Sequence, residues 1–442
     1  MTPKLLFTFL TILAFNFLHA QEHKTYYPDG TLKEIGTYKN VKRTGIWQFY
    51  HENGQLSDIG KFDDGLKTGE WKSYYDNGQL KRSGTYDDVN GNPKNIWKYD
   101  HENGNRTGIW KYYHDNGTLK KIAEFDNDVA TGEWKYYHDN GKISDTGKFK
   151  NGHKTGEWKV YHENGQLKFT GKYNEGKQTG LWKSYYENGQ LSFTRTYIRG
   201  KKTGEHKAFY DNGQLKQIGK HENGRPIGEQ KIFHKNGQLK FIGEFNNGNE
   251  TGIHKEFYDN GKLFVTREYS HGKPIGAYKS FHNNGQIKLI GEYDNGEQTG
   301  VWKAYNNKGQ LKFIGKFNHG NETGIHKEFY DNGKLFITRE YSLGKGIAES
   351  KTYRKTGELW EEGEIVNRKP SGIWKIYHRN NSIYQLRLWD DGKFLKIISC
   401  FDNKGNPLQK GTLVNGNGSV NYYDELGNLT ETKNYINGSV IK

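Results

Sequence analysis

The chain holds one cysteine, one methionine and seven prolines among 442 residues. With Cys400 alone, an internal disulfide is impossible. A bacterial lipoprotein needs a cysteine at its mature start, and none stands near the N-terminus, so lipid anchoring by that route is excluded. Hydrophobic residues are only 32%, poor material for a large compact core, whereas aromatics at 15% and 57 glycines suit a thin β-structure. Beyond the first 20 residues no window shows the three-and-four apolar spacing of a helix, and glycine recurs too often for one to survive. Catalytic signatures are also missing: there is no Gly-x-Ser-x-Gly elbow, phosphate loop, zinc-spaced histidine pair or calcium loop. Like residues are spread along the chain rather than unlike ones gathered, so a non-enzymatic protein without cofactor is expected.

The first 20 residues have a character of their own. Lys4 precedes an apolar run from Leu5 to Leu18, and Ala20 offers a small residue before Gln21, the pattern of a secretory signal. No second run reaches membrane-spanning length. The expectation is an exported chain, periplasmic, cell-surface or extracellular, starting at Gln21.

What the sequence has in abundance is repetition. A turn glycine recurs every 24 residues from Gly117 through Gly141, Gly165, Gly189 and onward to Gly357. A strict period of this length marks an array whose units bury apolar surface against their neighbours. One unit runs "QLSDIGKFDDGLKTGEWKSYYDNG" to Gly78. Its first half alternates, with Leu56, Asp58, Gly60 and Phe62 on one side of a strand. A Gly-rich turn leads to a second strand carrying Trp71, Lys72, Tyr74 and Tyr75, which ends at Asn77-Gly78, read as a tight hairpin turn. Each repeat is therefore a β-hairpin, and the fold class is all-β: an elongated array of about 17 hairpins in a single twisted, meandering sheet.

The run Thr-Gly-x-Trp-Lys-x-x-Tyr-x-x-Asn-Gly-Gln-Leu, seen in "TGEWKSYYDNGQL" at Thr68–Leu80, "TGEWKVYHENGQL" at Thr155–Leu167 and "TGLWKSYYENGQL" at Thr179–Leu191, resembles the MORN-type repeat in its bacterial variant form. The resemblance implies either a membrane-associated or protein-binding scaffold, or an antitoxin component of a toxin-antitoxin system. "YDNGQL" and "YYDELGNL" also resemble the Tyr-Asp repeats of large β-cage toxins, but those lack the Thr-Gly-x-Trp-Lys half. The organisation expected is a signal over residues 1–20, an array over 21–399 with one inserted hairpin near 87–107, and degenerate repeats or a cap over 400–442.

Four rows of side chains follow from the period. The first is a cationic ladder of Lys72, Lys111, Lys135, Lys159, Lys183, Lys207, Lys231, Lys255, Lys279, Lys303, Lys327, Lys351 and Lys375 in a chain of formal charge +15. Its plainest reading is a solvated face, and its sharper one a docking strip for anionic lipid or acidic polysaccharide. Nucleic acid is disfavoured by export and by Glu70, Glu133, Glu157 and Glu205, two residues before the lysines. The second row alternates His51, His114, His138, His162, His234, His282 and His378 with tyrosines, which fits amphipathic packing better than a metal. The third, Trp71, Trp110, Trp134, Trp158, Trp182, Trp302 and Trp374 with Trp47, is read as packing, and His206, His254 and His326 replace it elsewhere. Aromatics three residues on, such as Tyr50 and Tyr74, belong to the opposite face of a regular strand unless a bulge intervenes; core packing is the preferred reading, because the chain has few other large apolar residues, and an exposed groove for sugars or peptides is the alternative. The fourth row is Arg195, Arg267 and Arg339, 72 residues apart, with planar donors for carboxylates or phosphates. Cys400 is expected to be a buried apolar residue rather than a reactive thiol. These features converge on an exported scaffold that binds a partner, most readily a protein, along a long β-surface; the alternatives are an antitoxin or immunity-type protein and a peripheral binder of anionic lipid or polysaccharide.

Overall fold

The computed structural model describes residues 21–87, 104–341 and 347–441. The signal segment and the core of the inserted hairpin near 87–107 lie outside the described residues. Every described element is a β-strand. The chain divides into two units, one through Gly213 and one from Gln214.

In the first unit, antiparallel strands follow one another from Gln21–Tyr26 to Lys201–Phe209, each paired with its neighbour in sequence. Strand Leu80–Tyr86 pairs with Arg106–Tyr113, Tyr86 opposite Arg106, so pairing resumes in order on the far side of residues 88–103. The second unit runs likewise from Leu215–Glu222 to Lys393–Cys400. There the period fails, and Gly418–Tyr423, Leu429–Ile436 and Ser439–Val440 form a separate three-stranded sheet. Phe394, Ile397, Cys400, Leu413 and Val420 make a small apolar cluster between that sheet and the last repeat strands. Cys400 is 3% exposed and burial pushes its thiol pKa up, consistent with an unreactive side chain.

Two turns of different geometry alternate along the chain. Between the paired Asp63 and Leu66, both Asp64 (φ 48°) and Gly65 (φ 88°) are left-handed, which makes a two-residue turn of type I′. Asn151-Gly152 and Asn295-Gly296 repeat it. At the other end the Gly78 N–H donates to the Tyr75 carbonyl (3.0 Å), the Tyr75 N–H donates to the Gln79 carbonyl (2.8 Å), and within Tyr75–Gln79 only Gly78 has positive φ. That is a type I turn closed by a bulge glycine. The tight turn expected at Asn77-Gly78 therefore belongs to the opposite end of the hairpin.

A third left-handed glycine, Gly69 (φ 63°), sits where the register slips between Gly60 and Lys61, a bulge inside the strand Leu66–Tyr74. This is the role of the glycine in each Thr-Gly-x-Trp.

Candidate partner-binding faces

Alternation along Leu66–Tyr74 sends Trp71 and Ser73 to one sheet face and Glu70, Lys72 and Tyr74 to the other. On the first face Trp71 stands opposite Gly60, and its indole lies flat over that glycine: a Cβ built there would be 2.1 Å from the ring. Trp110, Trp134, Trp158, Trp182, Trp302 and Trp374 are buried in the same way. Aromatics from the neighbouring strands close over them, with Phe62 meeting Trp71 edge-on at 5.0 Å. This row is the core of a thin structure.

The indole N–H has a second duty. Beside the bulge, Trp71 Nε1 donates to the Lys61 carbonyl at 3.1 Å. His254 Nε2 serves the equivalent Glu244 carbonyl at 2.9 Å, His326 Nε2 that of Lys316 at 2.8 Å, and Gln230 Nε2 that of Lys220 at 2.9 Å. Tryptophan, histidine and glutamine interchange here because each can bring an N–H to this carbonyl. Trp302 and Trp182 are exceptions: Trp302 Nε1 donates to the Thr299 carbonyl at 3.1 Å, and Trp182 Nε1 is buried without a partner among the described residues.

The histidine row obeys a similar rule, except at His114, whose Nε2 lies 3.2 Å from the Asp139 carboxylate instead. His138 Nε2 contacts the Tyr161 carbonyl (3.1 Å), His162 the Tyr185 carbonyl (3.0 Å) and His234 the Phe257 carbonyl (2.9 Å). A carbonyl can only accept, so Nε2 carries the proton in each case. Tyr186 and Tyr258 hydroxyls donate to the same carbonyl one repeat on, at 2.8 Å, and Arg354 does so at 2.9 Å. What varies is the scaffold of the donor. The neighbouring Asn of each turn adds a parallel bond: Asn164 Nδ2 donates to the Glu187 carbonyl at 2.9 Å while its Oδ1 accepts from the Gln166 N–H. Successive turns are thus pinned to one another from both sides.

The lysines occupy the other face. Lys72 stands between Ile59 and Ser83, and Lys303 between Ile290 and Ile314. Carboxylates neutralise part of the row. Lys72 meets Glu70 at 3.2 Å, Lys207 meets Glu205 at 2.7 Å, and Lys351 and Lys375 share Glu362 at 3.0 and 3.3 Å. The tyrosines three residues beyond the tryptophans also face this way, since the Tyr50 hydroxyl donates to Gln48 and that of Tyr377 to Glu362. The bulge that follows Ser73 therefore does not bring the two aromatic rows together.

One feature of this face escaped the sequence reading. At the position before the tryptophan, glutamate alternates with aliphatics that the structure leaves exposed: Ile46, Ile109 and Leu181 in the first unit, and Ile253 (58%), Val301 (49%) and Ile325 (52%) in the second. The signal was present, because these residues stand two before Lys255, Lys303 and Lys327, where other repeats carry Glu70 or Glu157.

The three arginines lie on the aromatic face instead. Arg267 pairs with Glu256 at 3.0 Å and Arg339 with Glu328 at 2.8 Å, while Arg195 stacks on Phe193 at 4.2 Å. Carboxylates of their own chain already engage Arg267 and Arg339.

A profile described as the MORN repeat variant matches residues 22–40, 43–64, 67–88, 106–127, 130–151, 154–175, 178–199, 202–223, 226–247, 250–271, 274–295 and 322–342. No curated protein matches the chain. Among solved structures, the crystal structure of TcdB2-TccC3-TEV is similar at 12% identity over 93% of this chain and 23% of that one, with a TM-score of 0.15. The Tc holotoxin pore of Photorhabdus luminescens gives the same four values. The chain thus spans about a quarter of the length of the solved chains it matches.

Proposed function

Since this chain belongs to the MORN repeat variant family, we propose that it is an exported, non-enzymatic repeat scaffold that binds a protein partner along its lysine-bearing sheet face. The observation that carries this reading is the run of exposed aliphatics in the second unit. Ile253, Val301 and Ile325 project from the same face and register as Lys255, Lys303 and Lys327. A solvated face has no use for repeated exposed isoleucine and valine, and such rows flanked by charge are characteristic of contact surfaces.

A protein partner is favoured over an anionic lipid or polysaccharide because the same face also carries Glu268, opposite Ile253, Glu292, opposite Ala277, and Glu340, opposite Ile325. Mixed charge around an apolar stripe suits a complementary protein surface better than a uniformly anionic layer. An antitoxin role is the special case in which that partner is a toxin.

Replacing Ile253, Val301 and Ile325 together by glutamate copies what other repeats already tolerate at Glu133 and Glu157, so folding is expected to persist. Cross-linking and capture from the native cell should lose the partner. Capture unchanged by the triple replacement would refute this face as the contact surface.

A further inference from the structure

The aromatic face carries a second row, one position nearer the wide turns than the tryptophans. Its members are mostly apolar or small, as with Val160, Phe169, Ser184 and Phe193 in the first unit and Val265, Ser280, Leu289 and Ala304 in the second, interspersed with acids and amides such as Asp145, Gln217, Glu256 and Glu328. Among the described residues it carries cations only between residues 58 and 136. Asp58, Ser73, Arg82, Tyr112, Lys121 and Tyr136 are consecutive cross-strand partners there. They line an open cleft of about 510 Å³. The other described repeats act as an internal control, because they pack this row without a lysine or arginine.

The cleft has a definite chemistry. Ser73 donates to Asp58 and accepts from Arg82 Nε at 3.1 Å, which fixes the guanidinium; among the described residues its terminal nitrogens meet no carboxylate. Lys121 Nζ rests over the Tyr112 ring at 4.2 Å and near Trp134 at 5.1 Å, and among the described residues no carboxylate lies within ion-pair distance of it. Burial, with Arg106 and Lys120 nearby, lowers the Lys121 pKa. Arg106 itself is engaged by Asp128 at 2.6 Å. Two half-buried cations flanking a tyrosine, neither in an ion pair among the described residues, make a site that an anion would stabilise.

We propose that this cleft binds a carboxylated sugar. The carboxylate sits between Arg82 and Lys121, the ring stacks on Tyr112 or Tyr136, and a ring hydroxyl donates to Asp58. The last contact chooses among anions, since Asp58 accepts a proton from a neutral sugar hydroxyl but repels the larger, concentrated charge of a phosphate at the same place. The site is on the face opposite the lysine ladder and does not depend on the protein-partner reading.

Titration of the mature chain with D-glucuronate, followed by calorimetry, tests the proposal. Saturable binding is expected, with D-glucose at least about tenfold weaker and inorganic phosphate unable to compete, as loss of one charge-assisted contact implies. Arg82→Gln and Lys121→Gln should each weaken glucuronate about tenfold, at unchanged melting temperature, while Arg195→Gln outside the cleft should not. Absence of saturable binding, equal affinity for glucose, displacement by phosphate, or full affinity in both cleft variants would overturn it. The comparisons among the three ligands decide the matter even where a variant fails to fold.

Discussion

Each repeated position is set by one physical demand, and the glycine under the tryptophan shows it most sharply. At Gly60 the indole of Trp71 occupies the space of a Cβ. Nature has made the corresponding substitution once: Ala123 stands where the glycine of other repeats stands, and the following Trp134 meets Phe125 at an interplanar angle of 65°, against 88° for Phe62 and Trp71. The ring pair thus meets at a different angle where alanine replaces the glycine. Gly171→Ala, without such an adapted setting, is expected to cost about 2 kcal/mol in urea unfolding, the range for overpacking. The donor rule gives a second prediction. His162→Tyr should be neutral within about 0.5 kcal/mol because tyrosine serves the same carbonyl elsewhere, whereas His162→Phe should cost about 1–2 kcal/mol through an unpaired buried acceptor. Equal losses for the two would refute the rule. Backbone strain supplies a third. Val41, β-branched, is held at φ 59° in a tight turn where most repeats have glycine, and Val41→Gly is expected to raise stability by about 1 kcal/mol; a lower melting temperature would contradict that.

At the scale of the hairpin, the period and the strand alternation were legible because both are local. Asp58, Gly60 and Phe62 share a face in the structure as their spacing requires. The two turns were not separable from sequence, since Asn-Gly appears in both; only the carbonyl of Tyr75 receiving the Gly78 N–H distinguishes the wide turn from the tight one. The donor rows were invisible for a different reason. The acceptor for His162 lies 23 residues on, in the next repeat, and is a backbone carbonyl that carries no sequence signature. Tyrosine replacing histidine hinted at packing, but the shared property is the proton it donates. The polar cleft around Arg82 and Lys121 was likewise hidden, because its residues come from successive strands and none departs conspicuously from its own segment.

Within each unit the repeats behave as interchangeable modules, so function belongs to rows and to the places where rows break. Excising residues 166–189 removes one full period from the first unit and joins Gly165 to Gln190 in the same register. The shortened chain should fold with an unchanged β-signature per residue in circular dichroism, whereas excising a single strand should not, because half a period joins unlike turns. The partner-binding reading is a claim of the same kind: it assigns recognition to the aliphatic and lysine rows together. The measurement that tests it most directly is site-specific photo-cross-linking in the native cell from a probe replacing Val301, on the lysine face, beside a control probe replacing Ser184, on the aromatic face. A single dominant protein linked from Val301, not from Ser184, and lost when Ile253 and Ile325 become glutamate, is the predicted result. Only lipid or glycan at Val301, or the same adducts from both probes, would contradict it.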